Sequence, residues 1–224
     1  MWHVLIGLSS NCFSERASLV QDISGYKYRN GELNESHAYL LPSVVQILGA
    51  ISTKEKTLFD LGCGNGSVTN EIARRGFRVA GVDPSTEGVA HAKVRYPDLD
   101  IRIGSAYDDL SSEFGTFSYV LSLEVVEHLY NPKAFAATVY SLLDSGGYAI
   151  ISTPYHGYLK NLAIAAANGF DNHFSAMLDH GHIKFWSMHT LSQLLREAGF
   201  KSIEFKRVGR IPPLAKSMIA IARK

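Results

Sequence analysis

A chain of 224 residues holds one domain, or one domain with a modest insertion, and is long enough to bury a sizeable core. Its 46% hydrophobic and 19% charged residues are ordinary for a folded globular protein and argue against a disordered chain. A formal net charge of +1 gives no electrostatic reason to expect nucleic acid, and no apolar run approaches the roughly 20 residues that span a bilayer.

Residues 1–35 are irregular and polar, an N-terminal extension whose conspicuous aromatics are Tyr26 and Tyr28. Its apolar start, Met1 to Leu8, lacks a basic flank and reads poorly as a signal peptide. Cys12 and Cys63 are too few for a disulfide framework, so a soluble cytoplasmic protein is expected. A single domain is expected over 36–224. Tyr39, Leu40, Val44, Ile47 and Leu48 recur at helical spacing from Ser36, with Pro42 early in the run.

Strand-like and helix-like segments then alternate. Thr57 to Leu61 reads as a buried strand, Ser67 to Arg75 as a helix ended by Gly76, and Phe77 to Val82 as a second strand. A helix from Ser85 to Arg95 precedes a third strand, Ile101 to Ile103. Phe117 to Leu123 is a fourth, followed by a helix from Pro132 to Leu143, a Gly146-Gly147 turn and the strand Tyr148 to Ser152. The stretch from Pro154 to Phe185 breaks this rhythm, as a lid-like insertion over about 155–185 would. Ser187 to Ala198 is helical, and strands follow near Ser202 to Arg207 and Ser217 to Ala222. Such alternation predicts right-handed βαβ crossovers and a mostly parallel sheet. The last two strands, with no helix between them, should form an antiparallel hairpin at one edge.

The chemistry is concentrated in Phe59-Asp60-Leu61-Gly62-Cys63-Gly64-Asn65-Gly66-Ser67, where a strand hands over to a helix. Glycines there let the backbone turn sharply and approach a ligand, which meets the amino end of the following helix. The next strand ends in Gly81-Val82-Asp83-Pro84, placing a carboxylate about 20 residues on, where nucleotide-binding sheets hold a ribose. An adenosine compound is therefore expected. Ser67 stands where the dinucleotide pattern has its third glycine or alanine, which weakens a nicotinamide reading, and no Lys follows the glycines as a Walker loop requires.

The Asp-x-Gly-x-Gly-x-Gly turn, with an acid closing the second strand, resembles the class I S-adenosylmethionine-dependent methyltransferases over roughly residues 36 to 222. That resemblance implies an α/β, Rossmann-like, seven-stranded mostly parallel sheet with helices on both faces and a C-terminal antiparallel hairpin. It implies S-adenosylmethionine as cofactor, with the turn around Asp60, Gly62 and Gly64 cradling its methionine portion, Asp83 and the adjoining Pro84 at its ribose, and Ser105 and Ala106 at its adenine. Ser122-Leu123-Glu124-Val125-Val126-Glu127-His128 further resembles a stretch of the ubiquinone-biosynthesis O-methyltransferases, in which the position of Leu123 touches the cofactor. The partner implied is a small-molecule methyl acceptor, with oxygen as acceptor atom by resemblance alone.

Several residues carry two readings. Asp60 either contacts the ligand or braces the turn by accepting hydrogen bonds from its amides. Cys63 reads as a small filler, since no activating partner stands beside it in sequence. Asp108 and Asp109 can be no more than a solvated turn. Glu124, Glu127 and His128 fall at helical spacing and can share a face that only braces the loop. His128 is also a candidate catalytic base, because imidazole exchanges a proton near neutral pH. His182, which leads into the last helix, ranks beside it. His156, His173, His180 and His182 match no metal-ligand spacing, so no metal site is assigned. The aromatics among them, Phe170, Phe174, Phe185 and Trp186, suit a lid enclosing a flat acceptor. The rival classes are a nicotinamide oxidoreductase and a non-catalytic protein that keeps this fold to bind a partner. Ser152-Thr153-Pro154-Tyr155 only faintly echoes the motif of base-amino methyltransferases and follows the fifth strand instead of the fourth.

Overall fold

The computed structural model describes residues 33, 35–174, 177 and 181–224. The expected N-terminal extension, with Cys12, Tyr26 and Tyr28, lies outside the described residues apart from Leu33 and Glu35, as does His180. Among the described residues no helix is long and apolar enough to cross a membrane.

Seven strands form one sheet: β1 (Thr57–Leu61), β2 (Arg78–Asp83), β3 (Asp100–Ile103), β4 (Phe117–Leu123), β5 (Leu143–Pro154), β6 (Ser202–Val208) and β7 (Ser217–Arg223). Their order is β3-β2-β1-β4-β5-β7-β6. The first five pair in parallel, and β7 runs antiparallel between β5 and β6. The expected hairpin is therefore present, with β6 at the edge and β7 one place inside it. Strand order reverses between β1 and β4, and a sheet of this kind opens its ligand crevice at the carboxyl ends of the strands flanking that point.

All residues of β1 and β4 are buried, because both sheet faces are covered. Phe59 and Leu61 of β1 join one core with Phe135, Val139, Leu191 and Leu195, while Leu58 joins a second core with Leu40, Val44 and Ile72. The first core packs α5 (Pro132–Ser141) and α8 (Met188–Glu197) on one face of the sheet; the second packs α1 (Glu35–Ala50) and α2 (Ser67–Ala73) on the other. Cys63, Val89, Ala92 and Ile101 form a third cluster beneath α3 (Thr86–Arg95).

Local signals explain most boundaries. The Ser85 hydroxyl accepts the Gly88 N–H at 3.0 Å and caps α3; Asn131 Oδ1 accepts the Ala134 N–H at 3.1 Å and caps α5, with Pro132 following. Ser187 and Thr190 form a reciprocal capping box at the start of α8. Differences from the sequence expectation have physical causes. Pro42 lies two turns inside α1, where its missing N–H leaves a carbonyl of the preceding turn without a helical donor. The short helix α4 (Leu110–Phe114), absent from the expectation, buries only Leu110, too little for a periodic signal. Strand β5 begins at Leu143, not Tyr148, because Gly146 at φ +80° absorbs a register shift against β4 within the strand. The arrhythmic stretch after β5 contains two short helices, α6 (Tyr158–Ala166) and α7 (Phe170–His173), neither with a buried residue.

Phe135 is fully buried beneath the sheet. Phe135→Ala is expected to cost about 3–5 kcal/mol in urea unfolding through lost burial and the cavity left behind. A cost below about 1 kcal/mol would mean that α5 does not pack there as described.

Candidate active site

The glycine turn after β1 is held from the neighbouring strand. Gly62 and Cys63 donate their N–H groups to Val82 O at 2.8 and 3.1 Å, and Gly66 N–H closes onto Cys63 O at 2.9 Å. Gly62, Gly64 and Gly66 all take positive φ, at 87°, 54° and 72°. Gly62 is also sterically committed: a Cβ there would lie 2.4 Å from Val125 Cγ2, on the loop after β4. The turn thus joins the ends of β1, β2 and β4.

Asp83 fixes this junction. Its Oδ2 accepts the Gly64 N–H at 2.9 Å, and its Oδ1 accepts the Ser85 N–H at 2.8 Å. Bracing of the turn amides, one of the two readings of Asp60, falls instead to Asp83. Asp60 Oδ2 accepts the Thr69 hydroxyl of α2 at 2.6 Å. Both carboxyls are buried, and burial raises both pKa values, Asp60 to about 7. Among the described residues neither makes a salt bridge. The pair is therefore without a salt-bridge countercharge, which a bound cation would supply. Cys63 lies beside them, buried, with its thiol pushed well up by that burial, which fits a filler and not a nucleophile.

The other expected cofactor residues lie on or beside the loops at the same carboxyl end of the sheet. Pro84 follows Asp83, and the Gly104 N–H donates to Asp83 O at 3.2 Å, bringing the loop after β3 alongside. In that loop Ser105 N–H donates to Asp108 Oδ2 at 2.7 Å, so Asp108 shapes the turn carrying Ser105 and Ala106. Asp109 caps α4 through Ser112, and those hydrogen bonds hold its carboxyl below the ordinary range. Leu123 ends β4, buried.

The loop after β4 departs from the helical spacing expected of it. Glu124 sits in the left-handed region at φ +55°, and only Val126–His128 forms a 3₁₀ turn. Glu124 is held there from several elements: Ser152 Oγ donates to its Oε1 at 2.7 Å and Ser217 Oγ to its Oε2 at 3.2 Å, with Tyr39 OH 3.0 Å from Ser217 Oγ. Burial pushes its carboxyl up to about 7.

Residues far apart in sequence meet at this turn. Ile183 and Lys184 donate their N–H groups to Glu127 O at 3.0 and 2.9 Å, and Trp186 Nε1 donates to Val126 O at 3.3 Å. These bonds seat His182 against His128, with ring centroids 4.9 Å apart. Burial and the neighbouring histidines lower the His182 pKa to about 4, so its imidazole is neutral at pH 7. Glu127 was legible only as a possible brace. Its carboxyl is buried without a well-formed hydrogen bond among the described residues, and burial and the charge of Glu124 push its pKa well above the ordinary range, with the Thr153 hydroxyl opposing that shift. Ligand atoms of Glu127, His128 and His182 all lie within 4.8 Å of one another, a set able to hold a divalent cation. Sequence spacing hid this grouping because the backbone of 183 and 184, not a local motif, delivers the second histidine.

Residues 33–204 match the family model described as a methyltransferase domain. The chain is 36% identical over 113 residues to a ubiquinone biosynthesis O-methyltransferase of Caulobacter vibrioides, covering 49% of this chain and 44% of that relative. It is 28% identical over 170 residues to the enzyme so named in Burkholderia pseudomallei, covering 72% and 71% of the two chains. The chain thus spans less than half the length of the first of these relatives. Its fold is similar to that of magnesium protoporphyrin IX methyltransferase from Synechocystis PCC 6803, solved with bound SAH, at a TM-score of 0.62 and 21% identity over 83% of this chain and 82% of that one.

The contact between Gly62 and Val125 can be tested directly. Gly62→Ala combines a left-handed φ with a steric clash and is expected to destabilise by about 1–3 kcal/mol in chemical denaturation. Adding Val125→Ala should recover part of that loss; no recovery would remove the close approach from the account.

Proposed function

The chain belongs to the methyltransferase-domain family, and on that premise we propose that it transfers a methyl group from S-adenosylmethionine to an oxygen of a small-molecule acceptor. The observation carrying this reading is the hydrogen bond from Gly64 N–H to Asp83 Oδ2, which builds the turn and the ribose-side carboxylate into one unit. Each Asp83 oxygen accepts one backbone N–H, and a carboxylate oxygen retains capacity for a ribose hydroxyl as well. Asp60, Gly62 and Gly64 are assigned to the methionine portion, Pro84 to the ribose side, Ser105 and Ala106 to the adenine, and Leu123 to the wall at the end of β4. The names of the two relatives above support oxygen as the acceptor atom.

S-adenosylmethionine, when bound, supplies an electrophilic methyl on a sulfonium. The chain must place the acceptor in line, exclude water and accept a proton from a hydroxyl. His128 and His182 are assigned as the proton acceptors; His182, neutral at pH 7, is available as a base. The segment over about 155–185 is assigned as the lid that keeps water from the reacting atoms. The cytoplasmic setting expected from the sequence belongs to this proposal.

The close grouping of ligand atoms around the buried Glu127 carboxyl favours a second reading of the same three residues, in which Glu127, His128 and His182 are ligands of a divalent cation, whose charge would lower the raised Glu127 pKa. The chemistry such a cation supplies is a lowered pKa for a bound hydroxyl.

Calorimetric titration of the purified chain should show binding of S-adenosylmethionine and S-adenosylhomocysteine and none of NADH, with at least about tenfold weakening in Asp83→Ala. NADH binding alone would replace the methyltransferase reading with an oxidoreductase one. With an acceptor in hand, treatment with EDTA separates the two roles of the histidines. If they act as bases, turnover survives EDTA, and His182→Gln loses about 10²–10⁴ in rate. Loss of turnover in EDTA, restored by Mg²⁺ or Mn²⁺, assigns them as ligands.

A further inference from the structure

Two cations, Lys160 and Arg210, lie within electrostatic reach of one another on the α6 side of the candidate site. Lys160 of α6 is half-buried and donates to Tyr155 O at 2.8 Å. Helix α6 packs against the turn Pro212–Leu214, which brings Arg210 within electrostatic reach of Lys160. His156 and His173, with ring centroids 6.3 Å apart, both face Lys160, and His173 also faces Arg210. Among the described residues neither Lys160 nor Arg210 makes a salt bridge; Glu124 is the acid nearest in effect, and Ser152 and Ser217 already hold its oxygens. Burial and the charge of Arg210 hold the Lys160 ammonium below the ordinary lysine range. An apolar wall adjoins these cations. His156 stacks on Phe174 at 5.8 Å and meets the edge of Phe185 at 5.1 Å, and Phe174 meets Phe185 at 5.2 Å.

Two cations within electrostatic reach, one half-buried, repel one another, and an anion standing between them relieves that repulsion. An aromatic wall beside them fits the flat body of the molecule that carries the anion. We propose that the methyl acceptor bears an oxyanion, a carboxylate or a phosphate, seated between Lys160 and Arg210, with its ring against His156, Phe174 and Phe185. The inference rests on the methyl-transfer reading and adds the substrate class to it.

The test measures equilibrium binding of three probes to the S-adenosylhomocysteine-loaded chain: 4-hydroxybenzoate, phenyl phosphate and the neutral 4-hydroxybenzamide. At least one anion should bind about tenfold or more tightly than the amide, and raised salt should weaken that anion alone. The stronger of the two anions identifies the oxyanion source. In Lys160→Gln/Arg210→Gln the preference should disappear, while S-adenosylhomocysteine affinity stays at the wild-type value and shows that the variant is folded. Equal binding of anions and amide, binding of neither anion, or a preference that survives the double substitution overturns the oxyanion proposal. Failure of wild-type chain to bind S-adenosylhomocysteine overturns the methyl-transfer reading instead, so the two failures are distinct.

Discussion

The site depends on one buried carboxylate. Asp83 accepts the Gly64 N–H with one oxygen and the Ser85 N–H with the other, tying the turn after β1 to the end of β2 and to the start of α3. A buried carboxylate held by backbone donors cannot turn away without leaving those donors unsatisfied, so its geometry is set before any ligand arrives. Burial nonetheless raises its pKa, and that of Asp60 beside it. The turn is thus organised by its backbone, and its two buried carboxyls have no salt-bridge partner among the described residues, an environment that favours a cationic ligand.

The remaining elements follow from where that junction sits. β1 and β4 flank the reversal of strand order and are buried on both faces, so their carboxyl ends are the steadiest part of the sheet. Val125 packs against Gly62 across that gap. Glu124, in a left-handed conformation, is braced from β5 and β7 and aims the 3₁₀ turn carrying Glu127 and His128. The chain returning from the insertion docks by backbone hydrogen bonds on Glu127 O and brings His182 to His128. The glycine turn and a histidine pair assembled from distant segments are thus both tied to the loop after β4.

Much of this was legible in the sequence where chemistry and backbone coincide. The buried strands Thr57–Leu61 and Phe117–Leu123 read directly as short, mostly apolar runs, and the glycine turn with Asp83 declared itself because few backbones need that pattern. Seven strands and the antiparallel end followed from the alternation of segments. What escaped was set by tertiary contact. The spacing of Glu124, Glu127 and His128 imitates a helix, yet the brace from Ser152 and Ser217 holds Glu124 at φ +55°. Helix α4 is five residues long with one buried side chain, below what periodicity reveals. The grouping of Glu127, His128 and His182 depends on two backbone hydrogen bonds from residues without a motif. Asp83 reads in the sequence as an expected ribose ligand, and its bracing of the turn is a tertiary contact that no local pattern announces.

The most direct test of the account is an experimental structure of the chain crystallised with S-adenosylhomocysteine. The account predicts both ribose hydroxyls within about 2.6–3.2 Å of the Asp83 carboxylate, with the Gly64 and Ser85 hydrogen bonds retained. A ligand bound away from the glycine turn, or an Asp83 carboxylate that has left Gly64 to reach it, would contradict the claim that this junction is built in advance to hold the cofactor.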